Sequence, residues 1–216
     1  PHGGAAGDFV EQPEQTTILG AAKLTGRTPS GLSIGALTAL TAAEYARTWE
    51  AASARFGRVK VEPLSLYGVL RGQQEFGAHQ STAGLMLTAV HRDMEEDEPL
   101  ARQLNRRAYS GRGGFALRFA GGRYAVDGFV AFSLLHGEEG ALARVQRSSA
   151  QYFQRPDAGH VEFDSTRTWL GGYAFLVQFK KRGGEHWLWE VAGRMYITWL
   201  NFNDLGLTFT SDVIET

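Results

Sequence analysis

Residues Tyr109–Leu134 read YSGRGGFALRFAGGRYAVDGFVAFSL. The odd positions Tyr109, Gly111, Gly113, Phe115, Leu117 and Phe119 are apolar or glycine, while Ser110, Arg112, Gly114, Ala116 and Arg118 lie between them. A strand sends successive side chains to opposite faces, so this period of two describes a strand with one apolar and one polar face. Ala120-Gly121-Gly122-Arg123 supplies a glycine-rich turn of the kind that joins antiparallel neighbours. The apolar face then resumes at Tyr124, Val126, Gly128, Val130, Phe132 and Leu134.

The same hairpin recurs downstream. Trp169, Gly171, Tyr173, Phe175, Val177 and Phe179 form one face, Lys181-Arg182-Gly183-Gly184 the turn, and Trp187, Trp189, Val191, Gly193, Met195, Ile197 and Trp199 the next face. Arg112, Arg118, Asp127, Glu190 and Arg194 all fall on the less apolar face. Fainter versions predict strands at about 18–27, 31–41, 61–75 and 81–92, with short turns at Thr28–Gly31 and Gly77–Gln80. That makes eight strands whose connections alternate short and long, the long ones covering roughly 42–60, 93–107 and 136–165.

Aromatics sit at both ends of these apolar faces: Tyr109 and Phe119, Trp169 and Phe179, Trp187 and Trp199. Ten residues at about 3.3 Å each, tilted as barrel strands are, cover about 25 Å of membrane normal, the height of an outer-membrane barrel's apolar band. Alternation alone does not say which face is inside; strand length, end-placed aromatics and alternating connection lengths favour the membrane. The expected fold is all-β, an antiparallel transmembrane β-barrel with about eight strands here, part of a larger barrel, and outer-membrane lipid is the expected partner. A soluble β-barrel or sandwich is the alternative.

Composition is compatible. Glycine is abundant at 27 of 216 residues, aromatics make up 12 %, and cysteine is absent, which excludes disulfides and thiolate metal sites. A formal net charge of −1 gives no basic excess for nucleic acid. The start Pro1-His2-Gly3-Gly4 has no signal-peptide pattern, and the end Val213-Ile214-Glu215-Thr216 has no terminal aromatic. Residues 1–216 are therefore expected to be one barrel region, incomplete at both ends.

Three stretches carry a family resemblance: Phe9–Thr28, Gln146–Asp157 together with Asp164–Thr168, and Asn203–Gly206. In this order and spacing they resemble the barrel region of the bacterial domain-of-unknown-function family 5916. The resemblance implies an outer-membrane barrel, in large surface proteins where a carbohydrate-binding domain similar to family 9 precedes it. Carbohydrate binding or uptake at the cell surface is the function so implied, and the barrel portion of a surface polysaccharide hydrolase is the alternative.

Candidate chemistry is sparse. No nucleophile elbow and no HExxH pattern occurs, no two histidines stand at helical metal-ligand spacing, and no metal, cofactor or catalytic residue is assigned. The acidic run Asp93, Glu95, Glu96, Asp97 and Glu98 lacks EF-hand spacing and reads as a solvated loop. The connection from His136 to Thr168 is the best candidate for function. Its residues 140–147 suit a short helix, and Tyr152, Arg155, Asp157 and His160 mix an aromatic ring with donors and acceptors as sugar sites do. The same connection could instead fold over the barrel wall as a plug. The charges Arg112, Arg118, Asp127, Glu190 and Arg194 are expected to face the lumen.

Overall fold

The computed structural model describes residues 2–96, 98–149, 151–154, 161–196 and 199–201, and the backbone of 213–215. The elements in chain order are β1 Phe9–Glu11, β2 Ile18–Arg27, β3 Leu32–Thr41, β4 Glu44–Glu50, β5 Arg55–Glu62, β6 Leu64–Phe76, β7 Ser81–Asp93, β8 Arg107–Phe119, β9 Tyr124–His136, α1 Glu139–Arg147, β10 Trp169–Lys181, β11 Trp189–Tyr196 and β12 Val213–Glu215. All strand pairings are antiparallel. Nine strands make one sheet in the order β12-β11-β10-β9-β8-β7-β6-β3-β2, and β1-β4-β5 make a separate ribbon.

All eight expected strands are present, each starting within three residues of its predicted position. Five of them run thirteen residues, about twice a typical soluble strand. The sheet is not closed: β2 and β12 are its edges. The connection at 42–60 is not a loop but the β4–β5 hairpin, which folds away from the large sheet and takes β1 as its third strand.

The tight turns depend on backbone freedom at particular glycines. Gly31 adopts φ +87° after β2, and a side chain there would press on the Glu75 carbonyl. Gly121 and Gly122, at φ +71° and +79°, turn β8 into β9 in the left-handed region that glycine enters without steric cost.

Covering, and not alternation, distinguishes the two faces of the sheet. One cross-strand row, Tyr67–Val90–Ala108–Leu135–Leu170, runs over five strands. Ala141 and Leu142 of α1, with Phe153 and Val161 from the connection that follows, pack onto it as the main apolar core. The adjacent residues on the opposite face have no such cover. Leu135 is 1 % exposed, whereas its neighbour Leu134 is 41 % exposed. Leu70, Leu85, Tyr109, Phe115, Val130, Phe132, Trp169, Tyr173, Phe175, Val177 and Val191 are all exposed and lie on Leu134's side by register. A monomer in water rarely shows an apolar patch of more than a few hundred Å². Here the apolar face of the sheet is bare, and the polar face holds the core.

Aromatic rings gather toward one end of the bare face. Phe119, Tyr124, Phe179 and Trp189 from β8, β9, β10 and β11 form a continuous cluster, with centroid separations from 5.0 Å for Phe179–Trp189 to 6.5 Å for Tyr124–Trp189. This is the short-turn end. Tyr109 and Trp169 stand toward the other end.

Candidate functional site

The covered face divides along the strands. Toward the long connections it is filled by the plug that α1 begins. Gln146, fully buried, donates to the Asp164 carbonyl (2.8 Å) and accepts from the Asp164 N–H (2.9 Å). One side chain thereby ties the helix to the segment that leads into β10. Gln151 donates to the Leu200 carbonyl (2.9 Å), and the Asn201 N–H donates to Ser133 (2.8 Å). Gly172 permits this approach, because a Cβ there would collide with Trp199 and Leu200 backbone. The Asp164 carboxylate accepts from the Thr166 N–H and hydroxyl, and these bonds hold its pKa below the ordinary aspartate value.

Toward the short turns the covered face is open, forming a groove of about 640 Å³ whose lining includes Arg71, Gln73, Arg112, Asp127, Phe129 and Gln178. Register places all five sequence-predicted charges, Arg112, Arg118, Asp127, Glu190 and Arg194, on this face, opposite Ala131, Ala125, Gln178, Lys180 and Leu176 respectively. The structure also brings some together. Lys180, which periodicity did not single out, stands 3.5 Å from both Asp127 and Glu190 and joins them in one ionic cluster. Arg112 lies over the Phe129 ring at 4.3 Å.

The predicted ligand loop splits differently. Tyr152 is exposed, with φ +41°, while the next residue, Phe153, is buried in the core. The segment therefore anchors through Phe153, and the Phe153 N–H donates to Gln146. Arg155, Asp157 and His160 lie outside the described residues. Among the described residues no group of three or more His, Cys, Asp or Glu side chains is placed to hold a metal. Glu98 of the acidic run pairs with Lys60 of β5, and that bond raises the Lys60 pKa.

The ribbon carries a second surface that the sequence reading missed. Phe9, Trp49 and Phe56 are directly opposite one another across β1, β4 and β5. Phe9 and Phe56 are 73 % and 77 % exposed, and Trp49 meets Phe56 at 4.5 Å between ring centroids. The next row on the same face is Glu11–Arg47–Arg58, with Arg47 3.6 Å from Glu11 and Arg58 over the Tyr45 ring at 3.9 Å. The ribbon is tied down at its far end, where His2 donates through its N–H to buried Glu62 (2.7 Å) and the Gly3 N–H to Val61 (2.8 Å). The aromatic pattern was visible in the sequence, but short strands rich in charge gave no strand signal.

Residues 4–107 match the family model described as a domain of unknown function, DUF5916. Over these residues the chain is similar to that family. The match spans β1 to β7 and includes the Phe9–Thr28 motif. The other two motifs that resemble the DUF5916 barrel region lie beyond it. No curated protein and no solved structure matches the chain.

Proposed function

We propose that this chain is part of the wall of a bacterial outer-membrane β-barrel, with its bare face against lipid and its long-connection end offered to carbohydrate. The observation that carries the membrane half is the contrast between buried Leu135 and exposed Leu134, repeated along thirteen-residue strands. A sheet whose polar side holds the core and whose aromatic side is bare is the arrangement of a lipid-facing wall. Hydrocarbon tolerates no open strand edge, so in the membrane β2 and β12 pair with further strands. Extraction supplies the test. The folded chain is expected to stay monodisperse only in detergent or lipid, and a monomer that persists in plain buffer contradicts the reading.

The carbohydrate half is supported by the ribbon. Three aligned rings on strands about 4.8 Å apart make a platform roughly 10 Å long, beside a row of donors and acceptors at Glu11, Arg47 and Arg58. Apolar sugar faces stack on rings, and their hydroxyls take charged partners. Binding, not hydrolysis, is the chemistry favoured: the carboxylates Asp127 and Glu190 are engaged by Lys180. Soluble oligosaccharides titrated into the detergent-held chain should bind, and Trp49→Ala should abolish that binding. Unchanged affinity in Trp49→Ala removes the ribbon from the account.

A further inference from the structure

We propose that the open groove of the covered face is a binding site for a small hydroxylated anion, an acidic sugar bearing a carboxylate or a phosphate, held between Arg71 and Arg112. Three consecutive register rows define it. The upper row reads Arg71–Met86–Arg112–Ala131–Ala174, the middle row Gln73–Gly84–Gly114–Phe129–Leu176, and the lower row Glu75–Thr82–Ala116–Asp127–Gln178. Two guanidinium groups therefore flank Met86 on strands two apart, about 10 Å at backbone level. Arg112 reaches over Gly114, and Arg71 reaches Gln73, whose side chain stands beside Gly84, so that two adjacent glycines form the floor between them.

The glycines leave that floor bare. A Cβ on Gly114 would sit 3.8 Å from a guanidinium nitrogen of Arg112 and 3.2 Å from the Gly128 carbonyl, and one on Gly84 would press on the Gly72 carbonyl at 3.0 Å. The space beside Arg112 exists because side chains are missing from it.

The charges in the groove are unevenly answered. Asp127 is paired with Lys180, and Glu75 with Arg27 at 2.6 Å. Among the described residues neither Arg71 nor Arg112 has a carboxylate within 4.0 Å; Arg71 donates to the Gln73 amide oxygen (3.0 Å) and Arg112 covers Phe129. Two cations with no carboxylate within 4.0 Å among the described residues, on a wall that also presents Met86, Phe129 and Leu176, favour an oxyanion. A guanidinium matches carboxylate or phosphate bidentately. Gln73, Thr82 and Gln178 on the neighbouring rows supply donors and acceptors for hydroxyl groups. The inference needs the groove alone and stands apart from what touches the bare face.

Calorimetric titration of the detergent-held chain with galacturonate, glucose phosphate and glucose tests it. Galacturonate, glucose phosphate or both should bind, and glucose should not. Arg112→Gln and Arg71→Gln should each weaken that binding by about tenfold or more, the loss of a charge-assisted bond. Arg112→Lys should recover part of it, and Arg123→Gln, in the β8–β9 turn, should leave it unchanged. Equal binding of glucose, no binding of either anion by the folded chain, or full affinity in Arg112→Gln overturns the proposal. A chain that binds the anion yet stays monodisperse without detergent refutes the membrane reading and leaves the groove intact.

Discussion

Val130→Arg separates a lipid-facing wall from a wet one. Val130 is the central residue of β9, six from either end, and its side chain is 59 % exposed on the bare face. Its cross-strand neighbours are Gly113 and Phe175, so an arginine there meets no packing obstacle and finds no acidic partner opposite. If that face met water, the substitution would fall within about 0.5 kcal/mol of neutral, as surface changes do. If it meets hydrocarbon at the midplane, the cost is about 2–4 kcal/mol, falling to about 0–1 kcal/mol near the interface. That is a shift of roughly 30- to 1,000-fold in the folding equilibrium. Urea unfolding of the chain reconstituted in lipid vesicles measures it. Leu134→Arg, four residues nearer the strand end, should cost less than Val130→Arg. Two variants that both match the parent refute the membrane assignment.

The plug gives sharper core tests. Leu142→Ala removes a fully buried contact to the Tyr67–Leu170 row and should cost about 2–5 kcal/mol, read by the same unfolding curves. Gly172→Ala forces the Trp199–Asn201 backbone off β10; a cost of about 1–3 kcal/mol and faster proteolysis of the segment after β11 are expected. The lowered Asp164 pKa means its bonds to Thr166 contribute fully above the ordinary aspartate pKa of about 3.8. They are lost as pH falls through the lower folded value, so protease sensitivity around residue 164 should rise only in strong acid and Asp164→Asn should blunt that response. The Lys60–Glu98 pair runs the opposite way. With Lys60 raised, its contribution is complete below about pH 10.5 and disappears as pH climbs through the folded value. Lys60→Met should flatten the alkaline limb of a stability profile.

Most of the large sheet was legible because its ten- to thirteen-residue strands carry a long, uninterrupted period of two. The rows around Tyr109–Phe119 and Trp169–Phe179 needed no structure to be read. What periodicity could not supply was which face is covered, since Leu134 and Leu135 are chemically identical and only the docking of α1 tells them apart. The helix itself was foreseen nearly to the residue, at Glu139–Arg147. The β4–β5 hairpin was missed because Arg47, Arg55, Arg58 and Lys60 interrupt its apolar pattern, as a ribbon away from the large sheet allows. At the candidate site the five face charges followed from parity. Arg71 lies on a strand whose alternation is weaker, and Lys180 sits beside a turn, so neither stood out. Tyr152 and Phe153 are adjacent aromatics, and no local rule decides which one turns inward.

Because the chain has no cysteine, single cysteines carrying a nitroxide can be placed one at a time along β9 from Val126 to Leu134 in lipid vesicles. Collision rates with oxygen, which concentrates in hydrocarbon, and with a water-soluble nickel chelate then report what each face touches. Oxygen-dominated collisions are expected at Val126, Val130, Phe132 and Leu134, with Asp127, Phe129, Ala131 and Ser133 on the covered face shielded from oxygen. Nickel-dominated collisions at Val130 and Phe132 would contradict it.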